Sequence, residues 1–152
     1  MSYTGESQAA NGHLVGSPGS TPRFKGEILK PYAFGSASLS NTTAARFLFP
    51  GNGGTAPTSI RNLPVGQAGR IRGFSIFVDG PSGSAVNVTY ELFVNGVASG
   101  MSITGLATAT SFVATGNVLV SATDRIALRN VKSAVIGVSI TNIAAVVLLG
   151  ET

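Results

Sequence analysis

The chain has no cysteine and no tryptophan, one histidine, and charged residues at only 11% of its 152 positions. Each scarcity excludes something. Without cysteine there is no disulfide framework and no thiolate metal site, and the redox compartment stays open. The single histidine, His13, sits in a Gly/Ser/Pro/Asn-rich stretch, too little for a zinc site or a nucleophile–histidine–acid triad. The carboxylates are few: Glu6, Glu27, Asp79, Glu91, Asp124 and Glu151. Asp79 and Asp124 stand where turns favour aspartate, and Glu91 lies on the polar side of a strand pattern, so no facing acid pair of the glycosidase kind is indicated. Gly51-Asn52-Gly53-Gly54 lacks the lysine and helix of a phosphate loop. No catalytic, cofactor-binding or metal-binding residue and no cofactor is expected, and the chain reads as a non-enzyme.

Long apolar runs are also lacking. Met1 to Gln8 has neither the basic nor the apolar region of a secretory signal. The most apolar region, Ala134 to Leu149, is interrupted by Gly137, Ser139, Thr141 and Asn142 and is rich in β-branched residues, which argues against a membrane helix. The net charge of +4 comes mostly from seven scattered arginines, with no aromatic stacking face beside them, so neither a nucleic acid nor a membrane is expected as a partner. Amphipathic helical periodicity is absent throughout.

What the chain does have is strand and turn chemistry. Val86, Val88, Tyr90, Leu92 and Val94 fall on alternate positions, with Asn87, Thr89 and Glu91 between them; only Phe93 breaks the pattern. Successive side chains of a strand point to opposite faces, so one face is apolar and the other polar. Asn95-Gly96 follows, a pair suited to the two positive φ angles of a type I′ hairpin turn. Arg70 to Asp79 is a second strong strand, with Phe74, Ile76 and Val78 on one face and a turn at Asp79 to Gly83. Further strands are expected over Phe24 to Phe34 with Pro31 at an edge or bend, over Ala44 to Phe49, briefly over Ser59 to Leu63, over Val118 to Val120, and over Arg125 to Arg129 with Ile126 and Leu128 inward. Val135 to Thr141 would place Ile136, Val138 and Ile140 on one face. Gly105 to Thr115 reads as a loop or weak strand, and residues 50–57 as a loop. The last strand, Ile143 to Leu149, is apolar on both faces, which predicts a sandwich core on one side and a second subunit on the other.

These features give an all-β chain, an antiparallel jelly-roll-type β-sandwich over residues 25–152. Residues 1–24, dominated by Gly, Ser, Pro, Asn and Gln, form an extended N-terminal arm that would lie on another surface. Low charge and greasy strands suggest that much of the surface is hidden in an assembly. Candidate oligomer-interface residues are Ile143, Val146, Val147, Leu148 and Leu149. Arg23, Lys25, Arg46, Arg70 and Arg72 are candidates for contact with an acidic surface.

The span from Arg70 to Leu149 resembles small β-sandwich proteins of tailed-phage virions. The features that carry this are Arg70-Ile-Arg-Gly-Phe-Ser-Ile76, the Val94-Asn-Gly-Val97 strand end, the Ala/Thr-rich stretch Thr104 to Gly116, and Asp124-Arg-Ile-Ala-Leu128. Thr123 stands where such domains usually carry glycine. The pattern is also similar to the trimeric jelly rolls of the C1q/tumour-necrosis-factor type. The resemblance implies a structural virion protein, such as a capsid decoration or stabilising protein. It would bind the major capsid protein or another virion protein as a homotrimer, and its location would be the virion, assembled in the host cytoplasm. The alternative is a receptor- or glycan-binding module of a phage tail fibre or spore surface, using loops 50–57 or 104–116.

Overall fold

The computed structural model describes Ser7–Gln8, Leu14–Val15 and residues 28–151. The strands are β1 (Ser7–Gln8), β2 (Leu14–Val15), β3 (Lys30–Leu39), β4 (Arg46–Phe47), β5 (Phe49–Pro50), β6 (Leu63–Pro64), β7 (Gly69–Gly80), β8 (Asn87–Val94), β9 (Val97–Leu106), β10 (Ser111–Val120), β11 (Arg125–Lys132) and β12 (Ile140–Gly150). No helix occurs among the described residues. The expected arm, His13, Arg23 and Lys25 lie outside the described residues, apart from the two-residue ladder of β1 with β2.

Two five-stranded sheets face each other. One runs β10-β7-β12-β3-β5; the other runs β4-β11-β8-β9, with β6 also on β11. The antiparallel pairs are nested: β8 with β9, β7 with β10, β4 with β11, and β3 with β12. Pairs closing inside pairs describe one long hairpin wrapped into two layers, which is a jelly roll. The chain changes layer between β4 and β5, and Leu48, the residue at the step, is completely buried.

The core lies between the layers. From β8 come Val88, Tyr90 and Leu92, all at zero exposure, so the alternation in the sequence is the alternation in the sheet. Against them pack Ile71, Phe74, Ile76 and Val78 of β7 and Ile143, Val147 and Leu149 of β12. The Tyr90 and Phe112 rings meet across the layers at 5.0 Å. The hairpin turn has Asn95 at φ 52° and Gly96 at φ 81°, both left-handed as the type I′ geometry requires.

Three expectations need correcting, and one pair of alternatives is decided. The first long strand covers Lys30–Leu39, running past the expected end at Phe34, while residues 24–27 of the expected Phe24 to Phe34 strand lie outside the described residues; Pro31 is accommodated near its start because β5 pairs only with Phe34 and Gly35 and leaves that side of Pro31 without a strand. Residues 105–115, read as a loop or a weak strand, take the strand alternative: they hold the end of β9, a short turn and the start of β10, since Thr and Val favour the pleated backbone. Residues 135–139 are a bent connection in which Ile136 is buried while Val138 is exposed, so period two fails there. Finally, Ile143, Val147 and Leu149, expected at an interface, are buried in the core of one chain. They point into the sandwich core, because β12 is a central strand whose inward positions are these residues and Ala145.

Candidate functional site

The two outer faces of the sandwich differ in chemistry. On the β4-β11-β8-β9 layer, Arg129 of β11 lies opposite Glu91 of β8 in the ladder and bonds it at 2.5 Å, while the same guanidinium covers the Phe93 ring at 4.6 Å. Thr89 and Thr104 share a hydroxyl hydrogen bond at 2.7 Å. Phe93, the exception in the β8 pattern, is buried on this outer side in a small cluster with Phe47 and Ala127. This face is polar and internally paired, as a solvated sheet face should be.

On the β10-β7-β12-β3 layer the outer face is apolar. Cross-strand registers place Val113, Ser75, Val146 and Ala33 in one row, and Ser111, Phe77, Ala144 and Gly35 in the next. Phe77 is 63% exposed, Val113 59% and Leu119 60%, with Val146 and Leu148 partly covered between them. Charge is confined to the margins. Arg70 and Arg72 stand at one end of β7 and Asp79 at the other. Arg72 is engaged locally, donating to Asn117 Oδ1 at 2.8 Å and to the Glu151 carbonyl at 2.9 Å.

A shallow depression crosses this face. Its floor is made of small residues, Ala33, Gly35 and Ala37 of β3 and Ala144 of β12, and it encloses about 590 Å³ beneath Gly51 and Asn52. Gly35 is required there: a Cβ on it would come within 2.9 Å of the Ile143 carbonyl and 3.0 Å of the Gly51 carbonyl. Asn142, at φ 52°, interrupts the β12 ladder and presents its side chain at the boundary with a second depression lined by Phe77, Asp79, Thr110 and Ser111. Thus loop 50–57 and the turn before β10 both flank the apolar face.

The interface candidates therefore divide. Val146 and Leu148 are on the outer face, and Phe77, Val113 and Leu119 join them. Phe77 was visible in the sequence as an apolar residue on the wrong side of the β7 alternation; Val113 was hidden in a segment read as a loop or weak strand, with no face assigned. Of the basic candidates, Arg70 and Arg72 border this face. Arg46 belongs elsewhere: it is half-buried beside Asn130, with its Nη1 on the Ala56 carbonyl at 3.4 Å. A residue so placed is a poor surface contact, and the reason is that its β4 neighbour Phe47 takes the outward position.

Among the described carboxylates, Asp124 caps its own turn, accepting from the Ser121 amide and from Asn95 Nδ2, each at 2.8 Å. These bonds, the Ser121 amide first, hold its carboxyl below the usual value. No three His, Cys, Asp or Glu residues gather into a metal-sized group among the described residues, and no described helix is long and apolar enough to cross a membrane. No protein-family model matches the chain, and comparison with curated proteins finds no relative.

Proposed function

We propose that this chain is a non-enzymatic structural protein of a virion, a capsid decoration or stabilising protein that works as a homotrimer. The observation that carries the proposal is the contrast between the two outer faces. On the β11-β8 face Arg129 pairs with Glu91 and Thr89 with Thr104, whereas the β10-β7-β12-β3 face offers Phe77, Val113 and Leu119 to water, with Val146 and Leu148 partly exposed between them and Arg70 beside Leu119 at the margin. A contiguous apolar patch rimmed by polar groups fits a protein–protein interface. The jelly-roll likeness supplies the trimer. Three copies would turn their apolar faces toward a common axis, leave the polar faces outward and place the arm where it reaches a capsid lattice. Many symmetric copies would multiply a modest affinity for each site.

The test is the state of the purified protein and what it binds. Sedimentation at micromolar concentration should give three chains, and Val146→Glu should give one. Empty phage shells without tails should take up the trimer, and removal of residues 1–24 should prevent uptake. A wild-type monomer at that concentration would overturn the trimer.

A second reading, a glycan- or receptor-binding module, draws on the depression under Asn52, which has amide and carbonyl groups beside an apolar floor. It predicts binding to cells or to a glycan array that survives loss of the arm.

A further inference from the structure

One patch of the interior runs against the rest of the core. On the inner face of β11, Asn130 is completely buried and Lys132 is 2% exposed. Tyr90 of β8 lies directly opposite Asn130 on one side and Arg46 of β4 on the other. Residues paired across neighbouring strands stand about 5 Å apart at Cβ, so the four side chains form a single patch. Lys132 Nζ donates to Asn130 Oδ1 at 3.0 Å. The remaining groups are donors in search of an acceptor. Arg46 Nε is buried without a hydrogen-bond partner, as is Ser36 Oγ on the inner face of β3 in the facing sheet, and Asn130 Nδ2 and Tyr90 Oη have no well-formed hydrogen bond beyond the influence of the Asn130 amide on the Tyr90 hydroxyl. Tyr90 and Ser36 hydroxyls can also accept, but neither brings negative charge.

The charge balance is equally one-sided. Two cations, Lys132 and the half-buried Arg46, meet here. The described carboxylates are committed or distant in sequence and sheet position: Glu91 pairs with Arg129 on the opposite face of β8, Asp124 caps a turn, Asp79 lies at the outer end of β7, and Glu151 follows β12. A buried charge without a counter-charge costs several kcal/mol, and a water molecule would satisfy hydrogen bonds without neutralising it.

We propose that the patch formed by Lys132, Asn130, Tyr90 and Arg46 binds one small monovalent anion of halide size, held between the Lys132 ammonium, the Asn130 amide and the Arg46 Nε–H. Its size follows from the burial: with Asn130 and Tyr90 fully enclosed, the guest must shed its water and be small. Arg46, half-exposed at the sandwich edge, marks the side from which it enters. The burial of Lys132 and the charge of Arg46 both disfavour its ammonium, which a bound anion would restore.

The experiment uses the full chain, melted at pH 7 in sodium gluconate and in sodium chloride or bromide at equal ionic strength. Chloride and bromide should raise the melting temperature by several degrees over gluconate, saturably, and the increment should shrink as the pH rises and Lys132 gives up its proton. Lys132→Met and Asn130→Leu should each abolish it while keeping the wild-type circular dichroism. Should those variants not fold, broadening of the chloride nuclear resonance by the wild-type protein at pH 7, shrinking as the pH rises, reads the same site directly. Equal melting in the two salts with no broadening would overturn the proposal, as would a wild type indifferent to chloride that acquires dependence on it in Glu6→Gln or Glu27→Gln, since one of those carboxylates would then be the occupant.

Discussion

Asn95 and Asp124, 29 positions apart, clasp two turns at one end of the sandwich: Asn95 Nδ2 donates to Asp124 Oδ1 at 2.8 Å, and Asn95 Oδ1 accepts from the Arg125 amide at 2.9 Å. The β8–β9 hairpin is thereby tied to the β10–β11 turn. Asp124 is held below its ordinary 3.8 by the Ser121 amide first and then by Asn95 Nδ2, so the unfolded chain takes up its proton first as the solution is acidified. The clasp's contribution is present above pH 3.8 and declines as the pH drops through the lower folded value. Thermal melts of wild type and Asp124→Asn from pH 6 to pH 2 should differ at the upper end and converge at the lower.

Lys132 has the opposite sign. Burial first, then Arg46, pushes its pKa down to about 8 from 10.5. Between those values the unfolded chain binds more protons than the folded one, so stability in halide-free buffer should rise as the pH climbs from about 8 to about 10.5. The gain should be on the order of 1–3 kcal/mol. In Lys132→Met the slope in this window should vanish, and stability at pH 7 in gluconate should exceed wild type, as replacement of a buried ion by a packed apolar chain allows. Urea titrations at pH 7, 9 and 10.5 measure both.

The apolar outer face should be separable from the fold. Phe77→Glu places a carboxylate in the middle of that face, while the inward neighbours Ile76 and Val78 are untouched. Sedimentation should show loss of the oligomer, with the far-ultraviolet dichroism unchanged. A matching charge on the opposite face, Thr89→Glu, should leave the oligomer intact.

Gly73 sits where β7 and β10 slip register between Thr115 and Val118, and a Cβ on it would stand 2.3 Å from the Ala114 carbonyl. Main chain cannot move aside as a flexible side chain does. Gly73→Ala should therefore cost roughly 1–3 kcal/mol in a urea titration, whereas Gly83→Ala, where nothing stands within 4 Å of the added carbon, should be close to neutral.

How far residue order announced these features depended on whether a side chain's surroundings were local. β8 and its Asn95-Gly96 turn were plain, because alternation and a positive-φ pair are properties of neighbouring residues. Phe93 was seen to be anomalous but not why; its partners Phe47 and Ala127 come from β4 and β11. Val138 shared the spacing of Ile136 and Ile140 yet lies in a bend, since a two-residue period holds only while the backbone stays extended. The two-sided apolar character of β12 was legible, but which of its residues faced the core depended on how the second layer packs against it. Lys132 gave no signal at all: a lysine in a strand is ordinarily solvated, and only the closing of the β3 layer over β11 encloses it.

The central place of β12 has a consequence for how the molecule comes into being. Its nearest ladders, to β3 and β7, join residues more than sixty positions apart, and β3 and β7 are not bonded to each other. Until residues 140–150 have left the ribosome, one layer is split down its middle with two unsatisfied backbone edges. Completion of that layer must therefore wait for residues 140–150 and be slow in the manner of distant pairings, and a nascent chain stalled before residue 140 would be a sticky half-sheet rather than a smaller version of the protein.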